Sequence, residues 1–319
     1  MPQYREIRDK HSFLEMCKIP ELACAITLQP VERLGVDAAI LFADILLPLE
    51  SMGLQIAFEA SEGPIIHNPV RSWADVEALR KFEPDDCRYV LDAVKLIRHE
   101  LEGCVPLIGF AGAPFTLASY IVEGGSSRLY RTCKTMMNNE PRLWHALMDQ
   151  LAEMTAIYLN AQIAAGVQAV QLFDSWVGNL SPQDYSEYVL PYSAKVFANL
   201  DPSVPHIHFA NQAGTMIELV KEAGGNVIGL DWRITIDAAI GRLGDDVAVQ
   251  GNLDPMALFA RPDVIREKVR DILTRVGKRP GHIFNLGHGI DKDTPVEHVQ
   301  ALVEFVHEIS AEIQGNSQQ

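Results

Sequence analysis

Ala38-Ala39-Ile40-Leu41-Phe42-Ala43-Asp44-Ile45-Leu46-Leu47-Pro48 sets one carboxylate at the end of an apolar run. Residues 38 to 42 are short and apolar, and Leu34-Gly35-Val36-Asp37 breaks a helical pattern just ahead of them. The run therefore reads as a parallel strand buried on both faces. Asp44 then lies just past the strand's C-terminal end, where open α/β sheets and (β/α)8 barrels place their chemistry. The competing reading of Asp44 is a helix cap or a turn aspartate.

The same grammar recurs along the chain. Apolar strands are expected at 105–110, 169–173, 205–210, 226–230, 247–250 and 282–285, closing respectively on Ala111-Gly112-Ala113-Pro114, on Asp174-Ser175-Trp176, on Asn211, on Asp231, on Asn252 and Asp254, and on His288. Helical stripes separate most of them. Residues 12 to 33 read as helical, divided or limited by Pro20 and Pro30, and 71–80, 87–102 and 295–312 read as helices, with a loop at Glu62-Gly63-Pro64. The longest helix is expected from Glu140 to Gly166, with Asn139 as its cap and Leu147, Leu151, Met154, Tyr158, Ala161 and Ala165 as a core stripe. Seven strands, each closing on residues able to do polar work, predict an α/β chain of the (β/α)8 TIM-barrel type. Seven is one short of a closed barrel, so the first strand is expected to be missing; an open doubly wound sheet is the competing architecture, but it would gather its ligand groups at one switch point.

Composition narrows the class. The 319 residues, 48% hydrophobic and 22% charged, suit one barrel-sized domain spanning 1–319. The charged start MPQYREIRDK has no apolar core of a signal peptide, and no run of eighteen apolar residues occurs, so a cytoplasmic location is expected. Five cysteines without a CxxC spacing argue against a disulfide framework or a cysteine zinc site. A net charge of −15 argues against nucleic acid or an anionic membrane as partner, and an anionic small molecule would need locally placed cations.

The segments PQYREIR, ELACAITLQP, DAAILFADIL, PLIGFAGAPFTLASYIVEGG, QLFDSW, IGLDW, QGNLDP and NLGHGI resemble, in order, those of the uroporphyrinogen decarboxylase family. The resemblance runs from Arg5 to the end of the chain. It implies a (β/α)8 barrel, a homodimer, and a cofactor-independent lyase that removes carbon dioxide from the four acetate side chains of uroporphyrinogen to give coproporphyrinogen. It implies that Asp44 accepts hydrogen bonds from the pyrrole N–H groups, which suits an acceptor-only carboxylate facing four inward donors. Tyr120 and Ser175 resemble positions that bond the substrate's acidic side chains, and His288 the histidine near a propionate. Taken alone, a tyrosine on an apolar helix is a core residue, a serine after an aspartate is a cap, and a histidine between glycines is a loop residue.

The family carries a segment like RQAGRYLPEYR with two substrate-facing arginines, whereas this chain starts at Met1-Pro2-Gln3-Tyr4-Arg5, aligned with the end of that segment. The expectation is a natural protein about thirty residues longer, one βα unit. As given, the chain is expected to be a weaker catalyst and a less stable fold. The alternatives are an inactive tetrapyrrole-binding homologue and a zinc-dependent cobalamin or corrinoid methyltransferase of the same superfamily. The latter would need His206, His208 and His288 to converge. No metal or other cofactor is assigned.

Overall fold

The computed structural model describes residues 1–59 and 63–315. All seven expected strands are present, as β1 (Ala39–Ile40), β4 (Leu107–Gly112), β5 (Ala169–Asp174), β6 (His206–Ala210), β7 (Val227–Gly229), β8 (Ala248–Gln250) and β9 (His282–Ile283). They form one parallel sheet in the order β1-β4-β5-β6-β7-β8-β9, so each strand pairs with the next after a helical crossover. This is the TIM-barrel type of α/β architecture. Among the described residues β1 and β9 are the two edges and are not paired with each other. Ile40 and Ile283, in register with inward-facing Ile108 and Gln250 of the neighbouring strands, are each 44% exposed.

Alternation along each strand sorts the side chains. Phe110, Phe173 and Phe209 point to the concave side, where their rings meet edge to face at 5.5 and 5.9 Å. Gln171 and Gln250 share that side, joined by a 3.0 Å hydrogen bond. Leu107, Leu172, Ile228 and Val249 point outward into the helices and are buried.

The helix Pro141–Ala165 is the largest outer support. Its Gln162 accepts from the Phe110 N–H and donates to the Phe110 carbonyl, both at 2.9 Å, bringing the helix hard against β4. Gly109 makes room for this: a Cβ there would collide with the Gln162 amide oxygen. The stripe Leu147, Leu151, Met154 and Tyr158 is buried, and the helix stops at Gly166, whose φ of 118° suits only glycine. Asn139 is not the cap: it ends the preceding helix Arg131–Asn139, and Glu140 precedes Pro141 without a side-chain bond.

Three other local expectations change. Pro20 divides 12–33 as expected into two helices, Phe13–Lys18, opened by a Ser12/Glu15 capping box, and Pro20–Leu34, but Pro30 sits inside the second without ending it. The 71–80 helix shrinks to Trp73–Glu77 with Ser72 as cap. Gly63 and Pro64 are strand, not loop: β2 (Ile56–Glu59) and β3 (Gly63–Ile66) form an antiparallel hairpin, while Glu62 lies outside the described residues. The hairpin packs through Phe58 on Phe13, 5.0 Å between rings. A first helix, Pro2–Arg8, lays Tyr4 on Phe42.

Candidate active site

The strand ends meet at one mouth, but most of their polar side chains hold the mouth together. Asn211 after β6 donates to the Ser175 carbonyl after β5 at 3.3 Å, and Asp231 after β7 accepts the Gln212 N–H after β6. Asn252 after β8 donates to the carbonyls of Asp231 and Ile234 at 2.8 and 2.7 Å. Each strand end thus latches the one before it. These residues satisfy loop backbone that would otherwise be buried unpaired, so the expectation that every strand end does polar chemistry is too broad.

Asp44 stands apart from that chain of latches. Its Oδ1 accepts the Leu46 N–H at 2.8 Å, which is the turn-aspartate role, while Oδ2 has no hydrogen bond among the described residues. Burial, with a smaller contribution from the charge of Glu50, pushes its carboxyl up to about 6, against the Leu46 hydrogen bond that pulls it down. Asp44 is therefore a turn residue and, at its second oxygen, an available acceptor.

Tyr120 and Thr116 lie one turn apart on the helix Pro114–Glu123, which Pro114 opens directly after β4. The Tyr120 phenol is raised by burial and, to a lesser degree, by the charge of Asp44, while the Trp176 side chain works the other way. The Tyr120 and Trp176 rings stand 6.1 Å apart. Thr116 Oγ1 accepts the Ser175 N–H at 2.9 Å and donates to Asp174 Oδ1 at 3.1 Å, so it sets the backbone that carries Ser175. Asp174 is fully buried and its carboxyl is raised, chiefly by that burial. Its Oδ2 faces His208 Nε2 at 3.9 Å, beyond hydrogen-bond length, and neither atom has a partner among the described residues.

Asp44, Tyr120, Trp176 and Ser175 thus form one neighbourhood at the ends of β1, β4 and β5. His288 is placed elsewhere, exposed after β9, with its ring 6.5 Å from Phe209 and 6.4 Å from Trp232. The three histidines of the zinc reading do not converge. His206 and His208 share the outward face of β6, bonded to the carbonyls of Asp201 at 2.9 Å and Val220 at 3.2 Å, whereas His288 is at the concave mouth. The i, i+2 spacing that put two imidazoles on one face put them on the helix side of the sheet. Among the described residues no group of three or more His, Cys, Asp or Glu side chains could hold a metal ion.

A family model described as uroporphyrinogen decarboxylase (URO-D) matches residues 1–309. The chain belongs to the uroporphyrinogen decarboxylase family. It is 64% identical to the uroporphyrinogen decarboxylase of Carboxydothermus hydrogenoformans over 98% of this chain and 89% of that protein. It is 55% identical to that of Sorangium cellulosum, covering 99% of this chain and 91% of the relative. Among solved structures, a methyltransferase from Methanosarcina mazei superposes with a TM-score of 0.74 at 20% identity, over 91% of this chain and 86% of the other. At that identity the likeness speaks for the fold alone. Among the described residues no helix is long and apolar enough to cross a membrane.

Thr116, Trp176, Trp232 and Arg233 had no role assigned from sequence. The i, i+4 spacing of Thr116 and Tyr120 was a usable signal for the first; nothing local marks the others.

Proposed function

We propose that this protein decarboxylates the four acetate side chains of uroporphyrinogen III, giving coproporphyrinogen III in heme biosynthesis, with Asp44 as the central catalytic residue. The observation that carries the reading is the half-used carboxylate of Asp44, in a partly buried setting at the end of β1, within a chain of this family. A proton added to the pyrrole α-carbon next to the ring carbon that bears an acetate leaves positive charge on that acetate-bearing carbon, spread through the ring to the nitrogen. A carboxylate beside the N–H stabilises that charge strongly in a poorly solvated site. The C–C bond then breaks, its electron pair neutralises the ring, carbon dioxide leaves, and a second proton turns the exocyclic methylene into a methyl group. The ring proton is released, so each acetate consumes one proton net.

With a pKa of about 6, Asp44 is mostly ionised at neutral pH, as this role requires. Tyr120, Ser175 and His288 bond the acidic side chains. The working unit is a homodimer of single-domain chains acting in the cytoplasm. No nucleic acid or membrane partner is involved, which the net charge of −15 supports.

The test is an anaerobic assay of the purified chain with uroporphyrinogen and no added metal or nucleotide, product followed after oxidation to the porphyrin. Coproporphyrinogen is the expected product. Its absence, with the fold intact, would overturn the reading.

A further inference from the structure

Arg233 is a cation at the mouth that the chemistry above leaves unused. Its guanidinium carbon lies 4.0 Å from the centroid of the Trp232 ring, and its Nη1 donates to Asp231 Oδ2 at 3.2 Å. Asp231, with a side chain only 2% exposed, is also bound by the backbone N–H of Arg233 at 2.8 Å and of Gln212. Three donors share that carboxylate and Arg233 commits one nitrogen to it, so the pair fixes where the guanidinium stands. Among the described residues Nε and Nη2 of Arg233 have no partner, and the side chain is 44% exposed. A guanidinium stacked on an indole and tethered at one nitrogen has already lost much of its rotamer freedom and still presents a fork that matches a carboxylate.

The other neighbour of that indole is His288, edge-on at 6.4 Å, which in turn meets Phe209 on the concave side. Arg233 and His288 therefore flank one ring above the concave surface. β7, which leads into Arg233, lies four strands along the sheet from β1 and Asp44. At ~4.8 Å per strand that is about 19 Å along the curved sheet, which sets Arg233 across the mouth from Asp44, at a different edge of a bound macrocycle.

We infer that Arg233 binds a propionate side chain of the porphyrinogen, together with His288, and keeps hold of it through substrate and product alike. This rests on the decarboxylase reading, because only the propionates survive the reaction. A clamp on a surviving group contributes uniform binding and leaves the chemical step unchanged.

The experiment compares wild type, Arg233→Lys and Arg233→Met in KM and kcat for uroporphyrinogen, in product inhibition by coproporphyrinogen, and in equilibrium binding of non-reacting coproporphyrin read by fluorescence. Arg233→Met is expected to raise KM, the inhibition constant and the coproporphyrin Kd by one common factor of about 5–30, with kcat within about twofold. Arg233→Lys should fall between. An unchanged coproporphyrin Kd in Arg233→Met overturns the inference, as does a KM that rises without the product constants, which would mark an acetate contact. Absence of turnover in wild type would overturn the decarboxylase reading instead, and the coproporphyrin Kd would still decide Arg233.

Discussion

The two sides of the mouth are built on opposite principles. At the ends of β1, β4 and β5, Asp44, Tyr120, Thr116 and Asp174 are partly or fully withdrawn from water, and burial is the first cause of every raised pKa there. At the ends of β7 and β9, Arg233 and His288 are exposed and arranged around an indole. The first side offers low dielectric, where one ionised carboxylate acts strongly on a developing cation. The second offers preorganised donors that exchange water for an anion. A macrocycle with N–H groups at its centre and carboxylates at its rim needs both.

The difference predicts which measurements respond to which residues. The largest effect belongs to Asp44: Asp44→Asn should lower kcat/KM by on the order of 100-fold or more while circular dichroism stays native, since a neutral amide cannot stabilise the ring cation. Near-wild-type turnover in that variant would remove the distinction between the two sides. Thr116→Val comes next, because it strips the Ser175 N–H and the buried Asp174 of a partner in one step. A loss of about 2–4 kcal/mol in urea unfolding is expected. Thr116→Ser should recover most of it, and an unaltered midpoint in the valine variant would show that the relay bears no weight.

Gly109→Ala drives a methyl group into the Gln162 amide and should destabilise by about 1–3 kcal/mol, read as a lower Tm. Asp44 also predicts a pH dependence of stability. Its folded pKa of about 6 lies above the ordinary value of 3.8, so the folded state holds the proton more tightly and stability falls as pH rises from near 4 through 6. Asp44→Asn should accordingly be more stable than wild type at pH 7.5, by about 1–2 kcal/mol. That advantage should vanish near pH 4; equal stability at both pH values would mean the carboxylate is well solvated. The smallest effect is expected on the exposed side, where His288→Ala should move Tm by no more than about a degree while raising KM. A large fall in Tm would make His288 part of the scaffold.

All seven parallel strands, and the position of Asp44 just beyond the first, were legible in the chain. Buried parallel strands are short apolar runs set between breakers, a signal that survives without knowledge of their neighbours. Family membership was equally legible, since ordered segments such as FADIL, QLFDSW and NLGHGI span the chain. What the tertiary structure decided was direction and pairing. That His206 and His208 face the helices while His288 faces the mouth depends on which side of β6 the sheet curls toward, and i, i+2 spacing is silent on that. That Asn211, Asp231 and Asn252 latch neighbouring loops, while Asp44 keeps an oxygen free, depends on which backbone groups the fold leaves unpaired. The same applies to Arg233: in the sequence it is one of 27 basic residues, and only the stacking on Trp232 beside His288 distinguishes it. Strand existence follows from local chemistry, whereas the direction and partner of a polar side chain follow from residues far away in the chain.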